Sequence, residues 1–333
     1  MELPFGLNPH ETDPGAWGAS LLYNAELLLG CLDISQAKSV AEVGAFAGDL
    51  TRLLLLWAEP HGARVIAIDP APHELLEQLA RQREDLELVR ETSLQALEHI
   101  AIPDVLIIDG DHNYYTVTEE LRRAAAARDG LPPLLLVHDV CWPHARRDDY
   151  FDPEQIPAEH RQPVVQGGTL YPGHEGIWPG ALPFRWAAAR EGGARNGVLT
   201  AVEDFVAERP ELVLAVVPTF FGLGVVWHQD MPYAAELAAM LKPWDRNPLI
   251  ARLERNRVLH LSSAHFQSSL FKQAQDRLHE AEKLLQKMLD SRAFWAAEMY
   301  LRLRQRGKPQ FSRKEVRELL NRPQPIKDPN LGG

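Results

Sequence analysis

A chain of 333 residues with a formal net charge of −11 and 45% hydrophobic residues has the make-up of a soluble globular protein, with one large domain plus additions or two domains. No apolar run reaches the roughly 18 residues of a membrane span, residues 1–6 lack the basic and apolar regions of a secretory signal, and two cysteines, Cys31 and Cys141, are too few for a disulfide framework, so a reducing cytoplasm is expected. The charge is uneven. Residues 1–250 hold 18 basic and 37 acidic side chains, net −19, and residues 251–333 hold 17 and 9, net +8. This asymmetry fits attraction between the two parts, within one chain or across a dimer. A basic tail meeting an anionic partner is the sharper alternative, but nucleic acid is not expected as partner, and no membrane span is expected.

In chain order, residues 1–35 are expected as an N-terminal helical segment. Short runs rich in Val, Ile and Leu at 39–43, 64–69, 86–90, 104–109 and 134–139 read as strands. Amphipathic segments at 49–58, 73–82, 94–99 and 116–128 separate them. Strand and helix in alternation imply a doubly wound, mostly parallel α/β sheet within 36–230. Residues 141–195 break the pattern with seven Pro, seven Gly and three Trp, and are expected to form a lid. A helix at 196–209 and strands at 212–218 and 223–228 follow, the last two as an edge hairpin that completes seven strands. Residues 231–322 read as a helical extension with an apolar stripe through Leu259, Phe266, Leu270, Ala274, Leu278, Ala281, Leu285 and Met288, a face expected to pack in a homo-oligomer. Residues 302–322 are basic, and 323–333 form a Pro-rich tail.

The first strand runs into Glu42-Val-Gly44-Ala-Phe-Ala-Gly48, and the second ends in Asp69. Glycines at 44 and 48 permit a tight turn that a ligand can approach closely, and Asp69 can accept hydrogen bonds from ribose hydroxyls. The spacing departs from the Gly-x-Gly-x-x-Gly of dinucleotide-binding folds, which leaves a nicotinamide-dependent oxidoreductase as the alternative. These residues resemble the first two motifs of class I S-adenosylmethionine-dependent methyltransferases. The resemblance implies a cofactor site at Glu42, Gly44, Gly48, Asp69, Thr92, Ser93 and Asp109, with Thr92 and Ser93 where the family contacts adenine.

Strand four ends in Asp109-Gly-Asp111-His112, strand five in His138-Asp139. Carboxylates on neighbouring strands, about 4.8 Å apart, can share a divalent cation, Mg²⁺ first among them. This pattern resembles the metal-dependent O-methyltransferases of macrolide-sugar and cephamycin biosynthesis. There the residue at the 109 position binds metal, a histidine three residues later is the base, and strand five ends in Glu-Asp. The resemblance implies Asp109, His138 and Asp139 as metal ligands and His112 as base, with His138 the second choice and Asp111 a spare carboxylate. A transition-metal site at His138, Cys141 and His144 is a further alternative. Methyl transfer to a hydroxyl of a sugar or glycosylated small molecule is the expected function, with Tyr150, Tyr171, Trp142, Trp178 and Trp186 of the lid offering aromatic faces to the acceptor. A glycan-assembly or scaffold protein using the helical C-terminus is the non-enzymatic alternative.

Overall fold

The computed structural model describes residues 20–126 and 131–305, together with Val316. The expected segments at 1–19 and 323–333, and most of the basic run, lie outside the described residues. A 3₁₀ turn (Ser20–Asn24) leads into α1 (Ala25–Ser35). Strands and helices then alternate: β1 (Ser39–Val43), α2 (Asp49–His61), β2 (Arg64–Ile68), α3 (Glu74–Gln82), β3 (Leu86–Val89), α4 (Ser93–Ala96), β4 (Val105–Ile108), α5 (Tyr114–Ala126) and β5 (Leu134–His138). Residues 141–195 hold four short strands, β6 (Val164–Gln166), β7 (Thr169–Leu170), β8 (Leu182–Pro183) and β9 (Trp186–Ala188). There follow α6 (Val198–Ala207), β10 (Leu212–Val217), β11 (Leu223–His228), α7 (Ala234–Leu241), α8 (Pro248–Asp290) and α9 (Arg292–Gln305).

Seven strands form one sheet in the order β10-β11-β5-β4-β1-β2-β3. β1 pairs in parallel with β2 and β4, β2 with β3, and β4 with β5. Only β11 runs against its neighbours, β5 and β10. This is the doubly wound arrangement expected from the sequence. Its cause is visible in β4 and β5, where every residue is buried: a strand apolar on both faces must be covered on both. One face packs on α1, α2 and α7 through Leu28, Leu54 and Leu237, and the other on α5 and α6 through Leu121 and Phe205. Each such side chain contributes about 1.5–3 kcal/mol by leaving water.

The chain order reverses beside β1, whose neighbours are β2 on one side and β4 on the other. A crevice opens there at the carboxyl ends of the strands, the place where open α/β sheets bind ligands. Two compact units are present, one extending to Phe266 and one from Gln267. α7 belongs to the first, its Leu237 and Leu241 being fully buried. In the second, Leu270, Leu278, Leu284, Met288 and Trp295 are exposed.

Candidate active site

The β1 turn is built by its glycines. Gly44 has φ +84°, and a Cβ there would stand 2.1 Å from the Asp109 carbonyl oxygen. Gly44 is thus required by the close approach of β1 to the end of β4, a reason additional to ligand access. Gly48, at φ +82°, precedes α2, and its Cβ position faces Leu76 and Leu79 rather than the crevice. Glu42 lies behind the turn, where it accepts the Thr51 hydroxyl hydrogen bond at 2.6 Å. Burial pushes its carboxyl up to about 8, so at neutral pH Glu42 is a protonated tie between β1 and α2. Asp69 takes one backbone N–H on each oxygen, from Phe46 and from Ala71, both at 2.8 Å. It also lines the crevice.

The crevice is a cavity of about 1000 Å³, at the upper end for small-molecule sites. Gly44, Asp69, Thr92, Ser93, Asp109, His112, His138 and Asp139 all border it, whereas Glu42 and Gly48 do not. Thr92 also shapes its own helix, since its hydroxyl caps α4 by accepting from Gln95 N–H at 3.3 Å, in a reciprocal capping box.

The ends of β4 and β5 bring four ionisable side chains together. His138 Nδ1 stands 2.9 Å from Asp109 Oδ1 and 3.5 Å from Asp139 Oδ2. Its Nε2 donates to the Phe220 carbonyl at 2.9 Å. Asp139, at φ +60°, turns its Oδ2 to within 2.9 Å of His112 Nε2. Burial alone would lower both histidines and raise both carboxyls. The opposite charges outweigh it: Asp109 and Asp139 raise His138 to about 9 and hold His112 well above its usual value, while His138 and His112 keep Asp139 far below the carboxylate range. Two carboxylates and two histidines thus balance each other inside the protein.

Some sequence expectations change here. Asp111 is not a spare carboxylate: it accepts from Asn113 Nδ2 at 2.5 Å, from the Thr116 hydroxyl at 3.1 Å and from Phe151 N–H at 3.1 Å. The start of α5 is capped by Asn113, whose side chain accepts Thr116 N–H at 2.8 Å, which leaves His112 free of that role. His138, Cys141 and His144 do not converge as a set; among the described residues, those able to share an ion are Asp109, His138 and Asp139, and separately His112, His144 and Asp149. Sequence reasoning missed the second set. His144 stacks on the His112 ring at 4.6 Å, with burial pulling it down to about 3, so it is neutral.

The insertion walls the cavity through Pro143, His144, Asp149, Phe151, Phe184 and Arg185. The aromatics expected there from sequence are elsewhere: Tyr150 is buried, its hydroxyl donating to Asp148 at 2.8 Å, Tyr171 reaches Ser263, and Trp142, Trp178 and Trp186 do not border the cavity. Phe46, Tyr115, Phe151, Phe184 and Phe221 do.

Residues 41–140 match the family described as "Methyltransferase domain". A search of curated proteins finds no match to the sequence. Among solved structures, the chain is similar to a Podospora anserina methyltransferase bound to S-adenosylhomocysteine (12% identity, 62% of this chain and 78% of that one, TM-score 0.39). It is similar also to a methyltransferase from Geobacter sulfurreducens (15% identity, 62% and 78%, TM-score 0.34). The match runs from within β1 to just past β5, so it covers the glycine turn, Asp69 and the charged strand ends that border the cavity, and it supports an S-adenosylmethionine-dependent methyltransferase.

Proposed function

We propose that the chain transfers a methyl group from S-adenosylmethionine to a hydroxyl of a sugar or glycosylated small molecule, assisted by a divalent cation. The observation that carries this reading is the convergence of Asp109, His138 and Asp139, whose ligand atoms lie within 4.8 Å of one another, beside His112 in the cavity that Gly44 and Asp69 border. The set fits a cation. His138 gives its Nε2 proton to a backbone carbonyl, the usual outer partner of a metal-binding imidazole, and aims Nδ1 at two carboxylates. With an imidazole among the ligands, Mn²⁺ suits the set better than the Mg²⁺ expected from carboxylates alone. Such an ion, when bound, lowers the pKa of an oxygen it holds.

This chain's own residues supply the rest. His112 is the base for the acceptor hydroxyl, its ring oriented by Asp139 from 2.9 Å; a cation held by Asp109 and Asp139 would offset the negative charge that otherwise keeps this imidazole protonated. Six aspartates and three histidines around the cavity give a polyhydroxylated acceptor many hydrogen-bond partners. Phe46, which is 57% exposed, stands where a dinucleotide pyrophosphate would need open backbone, and this favours methyl transfer over hydride transfer. Turnover with labelled S-adenosylmethionine and a panel of glycosides is expected to stop in EDTA and to return with Mn²⁺. Full turnover in EDTA would sink the cation and leave His112 working without it.

The cofactor half of the proposal has its own test. Asp69→Ala is expected to weaken S-adenosylhomocysteine binding by roughly 1.5–3 kcal/mol, the range for hydrogen bonds to a charged group, or about ten- to a hundredfold in Kd. Calorimetry showing unchanged affinity in the folded variant would remove the ribose role. NAD⁺ binding in the same assay would revive the oxidoreductase alternative.

Assembly is part of the same reading. The exposed Leu270, Leu278, Leu284 and Met288 form a surface costly to leave in water, and we propose that a second copy covers it. Light scattering is expected to give the mass of a dimer, and a monomer at micromolar concentration would refute it.

A further inference from the structure

We infer that Glu254, on the second turn of α8, is a positioning residue for the site: by holding the tight turn between β10 and β11 it fixes the ring of His138 and the nitrogen that His138 presents to Asp109 and Asp139. The inference rests on the part given to His138 in the proposed function.

The turn needs holding. Phe220, Phe221 and Gly222 follow one another at φ +48°, +70° and +96°. Bulky residues in this region are strained and persist only where surroundings enforce them. Enforcement comes from two directions. Glu254 is buried, and its Oε1 accepts the Phe221 N–H at 2.8 Å. Arg257 grips both oxygens of that carboxylate, each at 2.7 Å, a bidentate pairing that fixes its plane, and the guanidinium stands 4.5 Å from the Phe221 ring centre and 5.5 Å from that of Phe220. From the N-terminal side, Tyr23 stacks on Phe220 at 4.6 Å and the Thr219 hydroxyl donates to Asn24 at 2.6 Å. Just before α8, Asp245 accepts Val216 N–H and Arg246 N–H donates to the Val216 carbonyl, both at 2.7 Å, so the chain leading to Glu254 is fastened to the edge strand itself.

The held turn delivers two groups to the site: Phe221, which borders the cavity, and the Phe220 carbonyl, 2.9 Å from His138 Nε2. A carbonyl can only accept, so Nε2 donates to it, while Nδ1 on the other side of the ring donates to the Asp109 carboxylate at 2.9 Å when no ion is held there. If the peptide rotates, Nε2 loses its acceptor and the ring is held from its Nδ1 side alone, free to turn. Glu254 touches none of the reacting groups. It acts two steps away, through a backbone amide and then a backbone carbonyl.

The test uses the full chain labelled with ¹⁵N-histidine, with no ion added. Long-range ¹H–¹⁵N spectra report the shifts of both ring nitrogens of His138, which follow the hydrogen bonds each makes, and a His138→Gln spectrum assigns the signals. Glu254→Ala is expected to move the His138 ring signals, whereas Glu254→Gln, which keeps an oxygen to accept Phe221 N–H, leaves them in place. Binding of S-adenosylhomocysteine should change less than about twofold in either variant, since the β1 turn and Glu254 share no partner. A folded Glu254→Ala with unchanged His138 signals overturns the inference, and so does a Glu254→Gln that moves them as far as alanine. Should Glu254→Ala fail to fold, hydrogen exchange in the unmutated protein decides. A Phe221 amide protected from exchange supports the hold by Glu254, and one exchanging as fast as an open loop refutes it. Broadening of the His138 signals by Mn²⁺ tests the proposed function separately, so either idea can fail while the other stands.

Discussion

Replacing His112 with alanine is expected to lower kcat by about 10²–10⁴-fold, the contribution of a positioned base, while S-adenosylhomocysteine affinity stays within about twofold. The split follows from geometry. His112 Nε2 lies 2.9 Å from Asp139 and 3.6 Å from Asp109, whereas the Asp69 carboxylate is held by the N–H groups of Phe46 and Ala71, so the two side chains share no partner. Initial rates with labelled cofactor, set beside calorimetry of the same preparation, measure both halves. Wild-type turnover in His112→Ala would remove the base. His138 could not replace it while Phe220 and Asp109 engage its two nitrogens.

Gly44→Ala is expected to be more damaging than any substitution of a charged residue, because the whole fold suffers. A Cβ at 2.1 Å from the Asp109 oxygen, 2.7 Å from its carbonyl carbon and 2.8 Å from Gly110 Cα meets the Asp109–Gly110 backbone itself, and no rotamer change can relieve it. The backbone of β1 or β4 must move, and φ +84° adds strain of its own. A loss of about 4–5 kcal/mol or more, the extreme of single-residue effects, would remove much of a stability of about 5–15 kcal/mol. Gly62 is the control. It has φ +59° but nothing within 4 Å of the added Cβ, so Gly62→Ala should cost only about 1 kcal/mol. Chemical denaturation of the pair measures the difference, and equal losses would show that backbone angle, not the approach of β4, dictates glycine at 44.

The sheet was legible in sequence because its signals are local. Five apolar runs of four or five residues, each closed by a turn, carry their own burial pattern, and Asp69, Asp109 and Asp139 are found simply by counting to strand ends. The charge cluster was half legible for the same reason, since His112 and His138 adjoin those ends. What completes it was not. The Phe220 carbonyl is 82 residues from His138, and a backbone oxygen leaves no mark in a sequence. His144 and Asp149 reach the cavity because residues 141–195 fold back over it, and no spacing rule relates them to His112. The lid aromatics failed as acceptor contacts because an aromatic in an irregular segment reads the same whether it faces a ligand or a neighbour. Tyr150 went inward to serve Asp148, while Phe151, one residue later, went out to 67% exposure.

Residues 141–195 divide into parts with different freedom to vary. At the base, one Asp148 oxygen accepts the N–H groups of Tyr114 and Gly197 at 2.8 and 2.7 Å, and the other accepts the Tyr150 hydroxyl. One carboxylate therefore ties the start of α5, the end of the insertion and the cavity wall into a single knot. Beyond the knot, β6 pairs with β9 and β7 with β8 as successive lengths of one two-stranded ribbon. A nested ribbon keeps its register when its far end is shortened, lengthened or rewritten, because each rung is set by the rung below it. Descendants of this chain could therefore exchange what Phe184 and Arg185 present to an acceptor by altering the ribbon alone. The chemistry at the strand ends would be inherited unchanged, and a new acceptor could be acquired without first losing the old reaction.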